Sequence, residues 1–195
     1  NRGSFFCRIG KGNRHALYRI PSSLSGLHTA KRLYFPGFVE ISESIPLVAN
    51  HICALTIDDF HEGLTDSIQV TVATSDIDAF AALTGDISPL HMDSAFAQRR
   101  GFAKRVAHGA LICGYTSRLF GVHFPGKNCI LQSLRTNFAS PVYEGDQIEI
   151  KAEVKQVSEA MGVVVLSISA MRNADSEIVM RGQAQIGFTK DKDAE

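Results

Sequence analysis

The feature that most constrains this chain is the apolar–polar alternation that fills its C-terminal third. Ile148, Ile150, Ala152 and Val154 alternate with Gln147, Glu149, Lys151, Glu153 and Lys155, the period of a strand with one buried and one wet face. Ile130, Gln132, Leu134, Thr136 and Phe138 alternate in the same way with Leu131, Ser133, Arg135 and Asn137. So do Met180, Gly182, Ala184, Ile186 and Phe188 with Arg181, Gln183 and Gln185. Residues 163–171 are a more continuously apolar strand, and Pro141 with Glu144-Gly145-Asp146 forms a turn. Four consecutive strands of this kind make an antiparallel meander that needs something apolar to cover one face.

The cover is the best helix in the chain, from Ala107 to Phe120. Leu111, Ile112, Tyr115 and Leu119 fall on one face, and Gly109, Ala110 and Gly114 allow close approach to a sheet. Upstream, residues 67–73 alternate as a strand. Thr74-Ser-Asp then opens a short helix carrying Ile77, Phe80, Ala81 and Leu83. Gly85 through Pro89 interrupts it, and Asp93 caps a second short helix over 93–99. The fold class expected is α+β, one long central helix against an antiparallel sheet.

Before residue 55, Pro21, Pro36 and Pro46 break every run, leaving only short extended pieces at 38–41 and 51–57. We therefore expect residues 1–54 to be a basic N-terminal extension and 55–195 the folded domain. Residues 1–39 hold seven basic side chains and no acid, although the whole chain of 195 residues has zero net charge. Such a segment fits a mitochondrial transit leader, a basic arm that steers an anionic partner, or a solvated extension. Its apolar content suggests that residues 33–54 pack on the domain. The compartment expected is the cytoplasm, or the mitochondrial matrix if 1–39 derives from a leader. No run approaches the roughly 18 apolar residues of a membrane span, and no nucleic-acid-binding motif is evident. Cys7, Cys53, Cys113 and Cys129 are too scattered for a zinc site or a disulfide scaffold.

The chemistry concentrates in Phe80-Ala-Ala-Leu-Thr-Gly-Asp-Ile-Ser-Pro-Leu-His-Met-Asp93 and Val106-Ala-His-Gly-Ala-Leu111. Asp86 and His91, an acid and an imidazole five residues apart in a Gly- and Pro-bounded segment, can converge on one small site. Adding water to a conjugated thioester needs such a pair, one group taking a proton from water while a proton reaches the α-carbon. It also needs donors for the enolate-like oxygen, and a helix starting at His108-Gly109 offers free N–H groups. Taken singly, Asp86 also suits a turn cap, His91 and His108 suit buried structural histidines, and Asp93 suits a helix cap. Arg99, Arg100, Lys104 and Arg105 read as a solvated face, or as a basic patch for a phosphate of coenzyme A or a carrier protein. Asp86, His91, Asp93 and His108 lack the ligand spacing of a recognised metal site, so no metal and no cofactor is expected.

These motifs resemble the (R)-specific enoyl-CoA hydratases of the MaoC family. The likeness extends to Pro125-Gly-Lys127, Gln132-Ser133 and Pro141-Val-Tyr-Glu-Gly-Asp146, and covers roughly residues 55–188. It implies a hot-dog fold, a homodimer with thioester tunnels at its interface, and reversible hydration of trans-2-enoyl thioesters to (R)-3-hydroxyacyl thioesters. The substrate would be an enoyl-CoA or an enoyl-acyl-carrier protein. By position, the resemblance makes Asp86 and His91 the catalytic dyad, Gly109 the oxyanion donor and Ser117 a serine near the dyad. Two other functions compete. A hot-dog thioesterase would commonly carry a carboxylate on the long helix, where 108–120 has none. A non-catalytic acyl-thioester sensor would not need an intact dyad.

Overall fold

A computed structural model describes residues 52–189. The extended piece expected at 38–41, and the basic extension as far as residue 51, lie outside the described residues. Five strands form one antiparallel sheet: β1 (Thr65–Thr71), β2 (Cys129–Phe138), β3 (Gln147–Ser158), β4 (Val163–Arg172) and β5 (Glu177–Phe188), in the order β1-β3-β4-β5-β2. Between β1 and β2 the chain makes α1 (Thr74–Thr84), α2 (Pro89–Met92), α3 (Ser94–Arg99) and α4 (Gly109–Arg118), and α4 runs on into a π-helical turn at Leu119–His123.

The alternation produces the sheet's inner face. Ile148, Ile150, Ala152 and Val154 of β3 are buried, as are Val164, Leu166, Ile168 and Ala170 of β4. The register sets Ile150 opposite Ala170, Ala152 opposite Ile168, and Leu166 opposite Ala184 of β5. Large and small residues thus sit side by side on that face. Leu111, Ile112, Leu119 and Phe120 from the central helix and its π-helical continuation complete the same core. Helix on one sheet face is the hot-dog arrangement. No helix among the described residues is long and apolar enough to cross a membrane.

The structure limits the expected four-strand meander to β3, β4 and β5, because β2 crosses over to pair with β5 while β1 takes the place beside β3. It also corrects several boundaries. The first strand starts at Thr65 and ends at Thr71, two residues earlier than the alternation suggests at each end. The expected extended stretch at 51–57 reduces, within the described part, to an isolated bridge between Ala54 and Gly126, followed by a 3-10 turn at Ile57–Asp59. The central helix begins at Gly109 rather than Ala107, because Ala107 donates its N–H to Val142 O at 2.7 Å instead of entering the helix. The break from Gly85 to Pro89 is shorter than expected. Pro89 supplies the first position of the extra turn α2, where a missing N–H costs nothing.

Candidate active site

The site sits where α1 stops and α4 starts. Gly85 takes a left-handed conformation (φ 77°) and donates to Ala81 O at 2.8 Å, which ends α1 and turns the chain outward. Asp86 follows directly. Its N–H binds Thr84 Oγ1 at 3.2 Å and its Oδ1 accepts from Ser88 N at 3.4 Å, which leaves the carboxylate half-exposed. Asp93 caps α3 as expected, accepting from Ala95 N and Phe96 N.

His91 lies in α2 and is half-buried. Its Nδ1 faces Val106 O at 2.6 Å. A carbonyl only accepts, so Nδ1 carries the ring proton and Nε2 of the neutral ring keeps its lone pair. His108 is buried at 2% exposure and caps α4. Its Nε2 donates to Asp86 O at 2.9 Å and lies 4.0 Å from Asp86 Oδ2. The two imidazoles stack with centroids 3.9 Å apart, and the Phe80 ring makes a tilted contact with His108 at 4.9 Å. One ligand atom from each of Asp86, His91 and His108 falls within 4.8 Å of the others. Two imidazoles and a carboxylate are a donor set that could accept a divalent metal. His108 Nδ1 is buried with no hydrogen-bond partner among the described residues.

The structure therefore brings Asp86 and His91 together, and adds His108 as the residue that ties the Asp86 backbone to the start of α4. Gly109 is the first residue of that helix, where the amides have no intrahelical acceptor. A Cβ at this position would come within 2.8 Å of the half-exposed Phe138 ring, so a side chain there would require that ring to shift. Ser117 is exposed, eight residues or about 12 Å farther along the helix axis. The hydrogen bonds and ring contacts that link Asp86, His91 and His108 do not reach it among the described residues.

Two residues were misjudged or missed by sequence reasoning. Arg105 is not part of a solvated face: its side chain is only 12% exposed and is bonded to His91 O and Asp78. Asp76 of α1 accepts from Tyr115 of α4 at 2.7 Å, a bond that holds the two helices in place. Burial, reinforced by that carboxylate, pushes the Tyr115 phenol above its ordinary range. The capping Asp at the third position of α1 was visible in the sequence, but its second partner was not.

Residues 60–172 match the family model described as "MaoC like domain". The chain belongs to the MaoC-like family. A 3-hydroxybutyryl-CoA dehydratase of Methylorubrum extorquens is 32% identical over 141 residues, covering 72% of this chain and 88% of that protein. An (R)-specific enoyl-CoA hydratase of Aeromonas caviae is 36% identical over 93 residues, 48% of this chain and 69% of that one. Among solved structures, the unliganded R-hydratase of Pseudomonas aeruginosa superimposes with a TM-score of 0.66 at 26% identity, covering 71% and 88% of the two chains. The MaoC-like match spans the segment from Asp86 to His91, the start of α4 and four of the five strands.

Proposed function

We propose that this MaoC-like chain catalyses the reversible hydration of trans-2-enoyl thioesters to (R)-3-hydroxyacyl thioesters. One observation carries the reading. A carboxylate and an imidazole, each held by backbone contacts, both meet the ring of His108, the residue at which α4 starts. The named activities of the relatives above agree with it.

In the hydration direction, water bonds through oxygen to C3 and a proton adds to C2, while charge passes through the thioester oxygen as an enolate. His91, with Nδ1–H tied to Val106 O, presents Nε2 to take a proton from water. The Asp86 carboxylate accepts the other water hydrogen and fixes the direction of attack. The pair then returns a proton to C2. The Gly109 N–H, at the positive end of the α4 dipole, stabilises the enolate oxygen. Dehydration runs the same steps backwards.

The test is loss of the enoyl absorbance with crotonyl- to dodecenoyl-thioesters on both coenzyme A and acyl carrier protein. Asp86→Asn and His91→Ala should each lower kcat at least about 100-fold with the fold intact. Near-native turnover in either purified variant removes that residue from the mechanism. Release of free thiol without hydration would instead make the protein a thioesterase. The same reading includes a homodimer. β2 is an outermost strand of the sheet, with Ile130 and Phe138 more than half exposed, and such an edge invites a second chain. A stable monomer by light scattering at micromolar concentration would refute that part.

A further inference from the structure

We propose that Arg105 is the positioning residue that holds His91 in its working orientation. The proposal rests on the hydratase reading for its kinetic consequence, but not for its structural one.

α2 has only four residues, so its last carbonyls have no partner inside the helix. The amide that would serve His91 O in a longer helix, that of Ala95, is taken by the Asp93 cap. Residues 105 and 106 supply what is missing. Val106 N donates to Leu90 O at 3.2 Å, and Arg105 Nε donates to His91 O at 2.5 Å. Val106 O then accepts from the His91 ring. Two consecutive residues thus grip His91 at its backbone and at its imidazole, leaving little freedom for the ring to turn.

The guanidinium is itself fixed from both sides. One terminal nitrogen binds the Asp78 carboxylate of α1, and the other lies 3.9 Å from Glu144 Oε2 in the loop before β3. Glu144 N reaches back to Arg105 O at 3.4 Å, and Val106 bridges Tyr143. A planar cation with five donors on three nitrogens can reach a carbonyl and two carboxylates on different sides at once, a spread that the single nitrogen of an ammonium does not match. Arg105 therefore joins α1, α2 and the 142–144 segment at the residue on which proton transfer depends. Misplacing a catalytic group by about 1 Å costs up to about 100-fold in rate.

The experiment combines kinetics with nitrogen-15 spectra of the histidine rings, the His91 signals being assigned by their absence in His91→Ala. In the native protein His91 should show the Nδ1–H tautomer. Arg105→Met should give mixed tautomers at His91 and lower kcat about 10- to 100-fold, with KM for crotonyl-CoA changed less than about threefold. Arg105→Lys retains a cation facing Asp78 and Glu144 but loses the planar donor to His91 O. It should move both readouts the same way by less, and it serves alone if Arg105→Met does not fold. An unchanged His91 spectrum in both variants overturns the proposal, whatever happens to the rate. So does a kcat within twofold of native. If the native protein shows no hydration at all, the spectra still decide the structural role, and only the hydratase reading falls.

Discussion

The β3-β4-β5 meander from Gln147 to Phe188 and the segment from Ala73 to Gly109 are held together in different ways. In the meander, rows of Ile, Val, Leu and Ala at or near zero exposure lie side by side on one face of the sheet, and burial of apolar area does most of the stabilising. The Ala73–Gly109 segment contributes few core side chains, and it leaves Leu83 and Ile87 exposed at 85% and 71%. Polar contacts fix it instead: Asp76 to Tyr115, Asp93 to the α3 amides, Arg105 to His91 and Asp78, and His108 to Asp86. Stability and chemistry are thus assigned to separate parts of one small domain, so a substitution should damage one more than the other.

The strongest way to break that separation is to damage the core and watch the site. Leu166 is fully buried on β4, paired with Val154 on one side and Ala184 on the other. Leu166→Ala should cost about 2–5 kcal/mol by urea denaturation, the usual range for such a cavity. The kcat of the remaining folded protein should stay within about threefold of native. A collapse of kcat in protein that is still folded would mean that the sheet tunes the site directly and that the two regions are not separable.

The same division decides what could be read from the sequence. Strands were legible because one period governs them and each residue needs only to be apolar or polar. Ile148, Ile150, Ala152 and Val154 are buried as the alternation requires. In β2 the period fails: a register shift between Leu131 and Ser133 turns Leu131 and Leu134 to the core and leaves Ile130 and Phe138 exposed. Asp86, His91 and Gly109 were legible as a motif, and the structure brings the first two together. The links that place them were not, because they join residues distant along the chain through geometry rather than composition. Arg105 to His91 O spans fourteen positions and Tyr115 to Asp76 thirty-nine. Nothing in Lys104-Arg105 marks one side chain as exposed and the next as nearly enclosed. Ser117 is the opposite case, singled out by resemblance yet found exposed near the end of α4.

Arg172 provides a control for Arg105 of smaller expected effect. It too is only 12% exposed and ringed by carboxylates, with Asp175, Glu177 and Asp146 around it, and it donates to Pro141 O at 2.9 Å. It therefore steadies the loop between β2 and β3 from the sheet side, as Arg105 does from the site side, but it makes no contact with His91. Arg172→Met should lower stability by about 1 kcal/mol, the order expected for one hydrogen bond to a charged group discounted for the exposed carboxylates. Turnover and the His91 ring spectrum should not change. If Arg172→Met lowers kcat as much as Arg105→Met does, loop placement rather than the grip on His91 explains both.

The smallest effect tests the sheet where it departs from its own rule. Asp66 stands near the start of the edge strand β1, opposite Ala152 and half-buried, where the alternation places no need for a charge. Burial pushes its carboxyl above the ordinary aspartate value of 3.8, while the Ser67 N–H and the nearby His123 pull the other way. An acid whose folded pKa is raised binds its proton more tightly in the folded state. It contributes nothing to the pH dependence below the unfolded value, where both states are protonated, and it costs stability at every pH above the folded value. Asp66→Asn keeps an oxygen to accept from Ser67 N, a bond of 2.8 Å in the native protein, and removes the charge. The variant should therefore melt slightly higher than native at pH 7, with the difference shrinking as pH falls towards 4. Turnover should match native, since Asp66 makes no contact with the dyad. A gain that persists unchanged at the acid end would mean that the charge is not its cause. A variant that melts lower at pH 7 would mean that the carboxylate has a favourable partner in the folded sheet. Asp66 would then belong with the polar contacts that hold the site segment, and the boundary between the two regions would move into β1.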